Sequence, residues 1–306
     1  MRVSEWALVA FTILSQMSVG TFVVLGIVNT LARRKYGVKA ADMLSDRALL
    51  AIGPVIILAF IASLFHLGSP FSAYRAVANL GTSWLSREIL SGILFAITGG
   101  LFAVMQWRKI GSEMIRTVIA WVAAAIGLFF IFAMSNVYMV ETIPTWDTVF
   151  TPLSFFATTF LLGILAVAAA YVATYAYVAR RQPVDAEAER EYLRWTLQGL
   201  ALVSILMLGV IFVLIPTNLA YQYTGPLAGV STMRDVIAEY GMVLLIRLIL
   251  VFLGAGLLAV VLIRNTLSAG RESALSTLAY SAFALVLISE ILGRFLFYAS
   301  YVRVGI

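Results

Sequence analysis

Long apolar runs alternate with short polar segments along the whole chain. A helix needs about 20 apolar residues to cross a bilayer, and eight runs meet that length: 6–31, 48–66, 88–107, 114–134, 152–179, 195–215, 241–263 and 275–298. A chain that spans a membrane must satisfy its backbone hydrogen bonds internally, so we expect helices and no strands. The pattern predicts an all-α fold, a polytopic integral membrane bundle of eight transmembrane helices that forms one domain over residues 1–306.

The composition supports a membrane protein. Hydrophobic residues make up 62% of the chain and charged residues 12%, whereas a soluble domain has about 45–50% and about 25%. The net charge of +6 is small beside this difference. We attribute it to arginines in cytoplasmic loops, so no nucleic-acid partner is expected.

Two polar segments mark the ends of apolar runs. The first run, 6–31, is too long for the apolar part of a signal peptide and ends at Arg33, Arg34 and Lys35. We therefore interpret it as the first membrane helix. The longest polar stretch, 180–194, is interpreted as a solvated linker with a short helical start.

The distribution of positive charge predicts the orientation. Most of the 21 Lys and Arg residues follow the first, third, fifth and seventh runs. Cytoplasmic loops carry an excess of these residues, so both termini are expected on the outer, periplasmic side. The segment 135–150 has no Lys or Arg, which is typical of an exported loop. The predicted location is the cytoplasmic (inner) membrane of a bacterium or archaeon, with multiple passes.

Few ionisable residues fall inside or at the ends of the apolar runs. They are His66, which is the only histidine, Glu88, Arg247, Glu290 and Arg294. With the predicted orientation all five lie in the outer leaflet, and no comparable buried set is expected in the cytoplasmic half. Ionisable groups in a membrane are costly to bury, so they are candidates for function.

Spacing suggests how these groups pair. Glu290 and Arg294 are four residues apart and share one face of a helix, so they either neutralise each other as a structural pair or belong to a site. Arg247 has no partner nearby in sequence and is expected to bridge to Glu88 or Glu290.

Three further polar or aromatic residues accompany the set. Gln16 is expected to make either an interhelical hydrogen bond or a ligand contact. Trp146 is assigned to the aromatic belt at the membrane surface. The role of Tyr138 is left open between that belt and the site.

A histidine beside a carboxylate near one membrane surface can exchange protons with water while facing lipid. A quinol dissolved in the bilayer must lose two protons as it loses two electrons. We predict that His66 accepts a phenolic proton and Glu88 passes protons to the aqueous phase, as the catalytic pair. The quinol-binding set adds Gln16, Tyr138 and the residues at 247, 290 and 294, where arginines orient the ring oxygens.

The electrons need a carrier outside this protein. It has no cysteine and one histidine, which excludes cysteine-ligated iron–sulfur clusters and a bis-histidine haem. A haem bound by one histidine and one methionine is the remaining possibility, but no haem is expected because methionine in membrane helices usually serves packing. Because no dinucleotide fingerprint occurs either, a quinol site implies a partner subunit with redox centres, docked on the outer face.

Several segments resemble the membrane anchor subunits of dimethyl sulfoxide reductases. They are QMSVGTFV at 16–23, HLGSP at 66–70, SWLSREI at 83–89, IPTWDTVFTPLSFF at 143–156, YGMVLLIR at 240–247 and ISEILGRFLFY at 288–298. The matches run in order through most of the sequence.

The resemblance implies an eight-helix anchor that binds menaquinol. It implies two partners, a four-cluster [4Fe-4S] subunit and a catalytic subunit with a molybdenum bis-pterin cofactor, so this protein would hold no terminal reductase active site. The family's histidine and glutamate of the quinol site correspond to His66 and Glu88. The terminal acceptor and the direction of electron flow are not implied, because the acceptor chemistry belongs to the catalytic subunit.

Two other functions are compatible with the sequence. The protein could be a docking anchor without a working quinol site, or a transporter or proton channel. Transporters place polar sites near the middle of the membrane. Here the polar groups are expected to stop in one leaflet, which argues against a path across the membrane.

Overall fold

The computed structural model describes residues 3–65, 79–181, 186–225, 227–264 and 272–303. It confirms eight helices, each long and apolar enough to cross a membrane. They are α1 (Val3–Tyr36), α2 (Val38–Leu64), α3 (Trp84–Arg108), α4 (Glu113–Tyr138), α5 (Phe150–Arg181), α6 (Ala186–Thr224), α7 (Leu227–Arg264) and α8 (Glu272–Ala299). No strand occurs within these ranges.

Helices α2 and α6 begin about ten residues earlier than the apolar pattern predicted. α2 starts at Val38, because only Gly37, at φ 84°, separates it from α1. α6 starts at Ala186, so most of the predicted linker 180–194 is helix, and Tyr192 and Leu193 are buried against the bundle. The prediction of a solvated linker was therefore wrong.

Two other predicted boundaries fall on irregular positions inside helices. α6 was expected to end at residue 215, but the helix continues through Pro216 to Thr224. α7 was expected to begin at residue 241, and the structure has a kink with non-helical dihedral angles at Tyr240. The turns beyond both positions make these helices longer than the roughly 20 residues that a span needs.

α1 and α5 form the centre of the bundle. α1 packs against α2, α4, α5 and α8, and α5 packs in addition against α6. The two central helices touch backbone to backbone at Gly20 and Gly163, where a Cβ on either residue would overlap the backbone of the other helix. Small residues allow such close helix packing in membranes.

The remaining helices flank this centre in hairpins. α3 packs with α4, and α7 packs with α8. Their outer faces and those of α2 and α6 carry exposed apolar side chains such as Ile57, Val104, Val213 and Phe252. Such a surface suits contact with lipid tails and leaves the polar side chains to the interior.

Candidate functional site

Buried polar side chains gather around the second half of α8. We call this group the α8 cluster, and its members are Gln16, Glu88, Tyr138, Thr158, Arg247, Glu290, Arg294 and Tyr298. The two members on α8 that carry opposite charges, Glu290 and Arg294, are buried. Glu290 is 2% exposed and Arg294 is 5% exposed. Buried charges require partners, so their contacts decide what the group can do.

Glu290 is held from α5 and α7. The hydroxyl of Thr158 donates a hydrogen bond of 2.6 Å to Oε2. Arg247 Nη2 lies 3.9 Å from the same oxygen. Of the two partners expected for Arg247, the structure pairs it with Glu290, and Ser289 fixes its backbone by donating to the Arg247 carbonyl at 2.9 Å.

Arg294 contacts α1 and α5. Its Nη2 donates to Gln16 Oε1 at 2.9 Å, and Gln16 Nε2 donates to the Phe155 carbonyl at 3.4 Å. The guanidinium carbon lies 3.7 Å from the centroid of the Phe155 ring, a cation–π contact. Gln16 therefore makes an interhelical hydrogen bond. Arg294 binds residues of α1 and α5 and is not only a charge partner of Glu290 within α8.

Tyr138 and Tyr298 join the helices α4 and α8. Their hydroxyls are 2.7 Å apart, and both side chains are buried. Glu88, which is 5% exposed, is close enough to interact electrostatically with both hydroxyls. Tyr298, four residues after Arg294, was not among the site residues predicted from the sequence.

Trp146 does not lie in an aromatic belt. It is buried, its ring stacks on Phe297 with centroids 5.0 Å apart, and its Nε1 donates to the Phe297 carbonyl at 2.8 Å. Thr145 adds a hydrogen bond of 2.8 Å to the Ser300 carbonyl. This loop closes over the end of α8, so the prediction of a lipid-facing role was wrong.

His66 lies outside the described residues. Helix α2 ends at Leu64 with Phe65 as its C-cap, and α3 begins at Trp84 with the Ser83 side chain as its N-cap. The predicted pairing of His66 with Glu88 therefore stays a prediction.

A cleft of about 140 Å³ opens beside the cluster between α5, α6, α7 and α8. Thr158, Arg247, Glu290 and Arg294 line it, together with apolar and aromatic residues. Glu88, Tyr138 and Gln16 do not line it. The structure thus divides the predicted quinol-binding residues between the cleft wall and a buried group behind it, with Arg294 in contact with both.

Four polar atoms of the cleft-lining residues make no hydrogen bond to any residue that the structure describes. They are Oε1 of Glu290, Nε of Arg247, Nε of Arg294 and Oδ1 of Asn218. An unsatisfied buried polar atom in a native structure calls for a partner. A carboxylate acceptor and two guanidinium donors at one cleft suit a ring that carries a hydroxyl or carbonyl oxygen.

A second polar group lies at the other end of the bundle. We call it the Asp42 cluster: Asn29, Arg33, Asp42, Asp46, Gln106, Lys109, Glu113 and Arg116. The sequence did not predict this group, in which Asp42 and Gln106 are buried whereas Lys109 and Glu113 are about half exposed. The reason is that α2 begins ten residues before its predicted start, so Asp42 and Asp46 are on a helix and not in a loop.

Close ion pairs hold the Asp42 cluster together. Asp42 lies 2.7 Å from both Arg33 Nη2 and Lys109 Nζ, and Lys109 also lies 2.8 Å from Asp46. Partial burial lowers the pKa of Lys109, but the hydrogen bonds and charges of the two aspartates outweigh it, so its pKa lies above the usual value. Within the described ranges, no group of three or more His, Asp or Glu side chains is placed to hold a metal ion.

Comparison with known proteins gives a consistent result over the whole sequence. The family model of the DMSO reductase anchor subunit (DmsC) matches residues 1–300. The C subunit of the anaerobic dimethyl sulfoxide reductase of Escherichia coli (strain K12) is 30% identical over 98% of this protein and 96% of the relative. The anaerobic dimethyl sulfoxide reductase subunit YnfH of that organism is 30% identical, and a C subunit from Haemophilus influenzae is 29% identical, with the same coverage.

Proposed function

The chain belongs to the family of DMSO reductase anchor subunits, a multi-pass protein of the bacterial inner membrane, and we propose that it oxidises menaquinol for its complex. The observation that carries the proposal is the cleft beside α8. It has apolar and aromatic walls, and Oε1 of Glu290 and the Nε atoms of Arg247 and Arg294 make no hydrogen bond among the described residues. A lipid-soluble hydroquinone needs both features.

The cleft residues would orient the ring. Glu290 Oε1 accepts a hydrogen bond from one hydroxyl of menaquinol, and the Nε atoms of Arg247 and Arg294 donate to the ring oxygens. The hydrogen bond from Thr158 and the ion pair with Arg247 Nη2, both at Oε2, keep Glu290 in place. The aromatic rings of Tyr240 and Phe297 line the same cleft and offer flat contacts to the ring system.

The group behind the cleft would carry the protons. Oxidation of menaquinol to menaquinone releases two protons and two electrons. Glu88, with the linked hydroxyls of Tyr138 and Tyr298, offers exchangeable protons within the helical core, and His66 follows α2 in sequence. In this proposal His66 and Glu88 are the proton acceptors that return protons to the aqueous phase.

The electrons would leave to partner subunits. The chain has no cysteine, so it offers no ligand for a [4Fe-4S] cluster. We propose that an iron–sulfur subunit takes both electrons and passes them to a catalytic subunit with the molybdenum bis-pterin cofactor. The protein is then the quinol-oxidising part of a larger oxidoreductase.

The test uses Glu88→Gln and Glu290→Gln in the assembled complex. We expect quinol-dependent turnover to fall at least about tenfold, in the range for loss of a general acid–base group, while a reduced dye that feeds the partner subunits directly still drives the reaction. Glu141→Gln, in the exposed loop after α4, is the matched control. Unchanged quinol turnover in both site variants would show a docking anchor without a working site.

A transport function finds little support in the bundle. Although polar clusters lie at both ends, α1 and α5 meet backbone to backbone at Gly20 and Gly163 between them. Val19 and Leu162, beside these glycines, are fully buried and apolar. Solute flux in liposomes that contain this protein alone would overturn this conclusion.

A further inference from the structure

A second cavity lies away from the cleft beside α8. It is a groove of about 310 Å³ between α1, α5 and α6, which we call the α1–α6 groove. Its walls are almost entirely apolar, with Val28, Leu31, Phe160, Trp195 and Gly199 among them. It shares no residue with the cleft beside α8.

The groove opens to the lipid-facing surface. Ile27, Leu31 and Val203 line it and are each more than two-fifths exposed. The lining residues of α6 run from Trp195 to Met207, a length of about 18 Å at 1.5 Å per residue. This matches half of the roughly 30 Å hydrocarbon core, which is the depth of one leaflet.

Cationic and aromatic side chains lie at one end of the groove. Lys35 Nζ is 5.3 Å from the ring centroid of Trp195 and 5.0 Å from that of Tyr36. Lys35 pairs with no carboxylate among the ion pairs of the described residues. Arg34 and Arg194 are the sequence neighbours of Lys35 and Trp195 on the two helices.

We propose that the α1–α6 groove binds one molecule of an anionic phospholipid. An acyl tail lies along the apolar wall, and the phosphate group is held at Lys35 beside Trp195. Aromatic rings favour the interface between lipid tails and headgroups, and basic pockets between helices bind anionic headgroups. The site is separate from the quinol chemistry and does not depend on it.

Gly199 allows a test that leaves the fold intact. A Cβ at this position meets nothing within 4 Å and Gly199 lines the groove, so a leucine side chain begins in open space and occupies the groove. Gly209, on the same helix, also has open space but does not line the groove. Gly199→Leu and Gly209→Leu are therefore a matched pair.

The experiment is native mass spectrometry of the whole complex from nanodiscs with equal phosphatidylglycerol and phosphatidylethanolamine. We expect the wild type and Gly209→Leu to retain one phosphatidylglycerol, and Gly199→Leu to retain at least about fivefold less. Lys35→Gln should lower the preference for phosphatidylglycerol about fivefold, the effect of one basic residue at a lipid headgroup, and Lys39→Gln should not.

Three outcomes would overturn the proposal. They are equal lipid retention by the two glycine variants, equal retention of both phospholipids by the wild type, and loss of menaquinone instead of phospholipid from Gly199→Leu. If Gly199→Leu does not assemble, Leu31→Trp fills the same groove from α1 and is judged by the same criteria.

Discussion

The guanidinium of Arg247 lies directly on Gly293, one helix away. A Cβ added at Gly293 would be 2.5 Å from both Nε and Cζ of the arginine. The absence of a side chain at Gly293 on α8 thus makes room for Arg247 of α7, whose guanidinium points toward Glu290. The distance between Arg247 and Glu290 depends on a residue that carries no polar group itself.

Gly293→Ala should displace Arg247 from the cleft. The Arg247 side chain is long enough to move aside, so we expect the complex to assemble. Arg247 would, however, lose its contact with Glu290 and its proposed hydrogen bond to the menaquinol ring oxygen. Loss of a hydrogen bond to a charged group costs about 1.5–3 kcal/mol, so we expect the KM for quinol to rise at least about tenfold. Gly256→Ala on α7, where a Cβ meets nothing within 4 Å, is the control and should behave as wild type.

Thr158→Val should loosen Glu290. Valine has nearly the same shape but cannot donate the hydrogen bond of 2.6 Å to this buried carboxylate. We expect binding of a quinol-analogue inhibitor, measured by fluorescence quenching, to weaken by about tenfold, within the range for a hydrogen bond to a charge. Thr159→Val is the matched control, because the neighbouring Thr159 hydroxyl donates to the Phe155 carbonyl of its own helix.

Much of the fold could be predicted because the apolar runs are long. A bilayer imposes one helix on each run, and all eight helices occur where expected. The ends of α2 and α6 could not be predicted in the same way. Asp42 and Tyr192 lie in polar segments that predict loops, and their contacts with Arg33 and Tyr171 on the preceding helices stabilise the helical state there.

Part of the candidate site could also be predicted from the apolar runs. Charges are rare in the apolar runs, so Glu290, Arg294 and Arg247 stand out without any knowledge of packing. Thr158 and Gly293 do not stand out, because threonine and glycine are common in membrane helices and their roles arise from a helix that faces them. Residues of this kind can be identified only when the packing of the helices shows which small or hydroxylated residues face each buried charge.

Tyr138→Phe and Tyr298→Phe should be strongly non-additive. Each removes one side of the same 2.7 Å hydrogen bond, so the second substitution removes only the contacts that its own hydroxyl makes elsewhere, such as that of Tyr298 with Thr12. For thermal stability of the purified complex, we expect the double variant to lose about as much as the worse single variant. Equal and additive losses would show that each hydroxyl has a separate partner of comparable strength.

Lys109→Gly should be more stable than Lys109→Met. Both variants lose the ion pairs with Asp42 and Asp46, but Lys109 adopts a left-handed conformation, φ 54° and ψ 36°, that ends α3. Glycine adopts this conformation without a steric cost, which is about 1–2 kcal/mol for other residues. The comparison is made by thermal unfolding at neutral pH, and an order with methionine above glycine would contradict it.

The ion pairs of Lys109 should also show in the pH dependence of stability. Because the folded-state pKa of Lys109 is raised above its usual value of 10.5, its contribution is complete below that pH and is lost as the pH rises through the folded pKa. We expect the difference in unfolding temperature between wild type and Lys109→Met to be constant from about pH 8 to about pH 10 and to shrink above that range. Titration of the other groups affects both proteins alike and cancels in the difference. A difference that instead grows with rising alkalinity would show that Lys109 is not stabilised by the two aspartates.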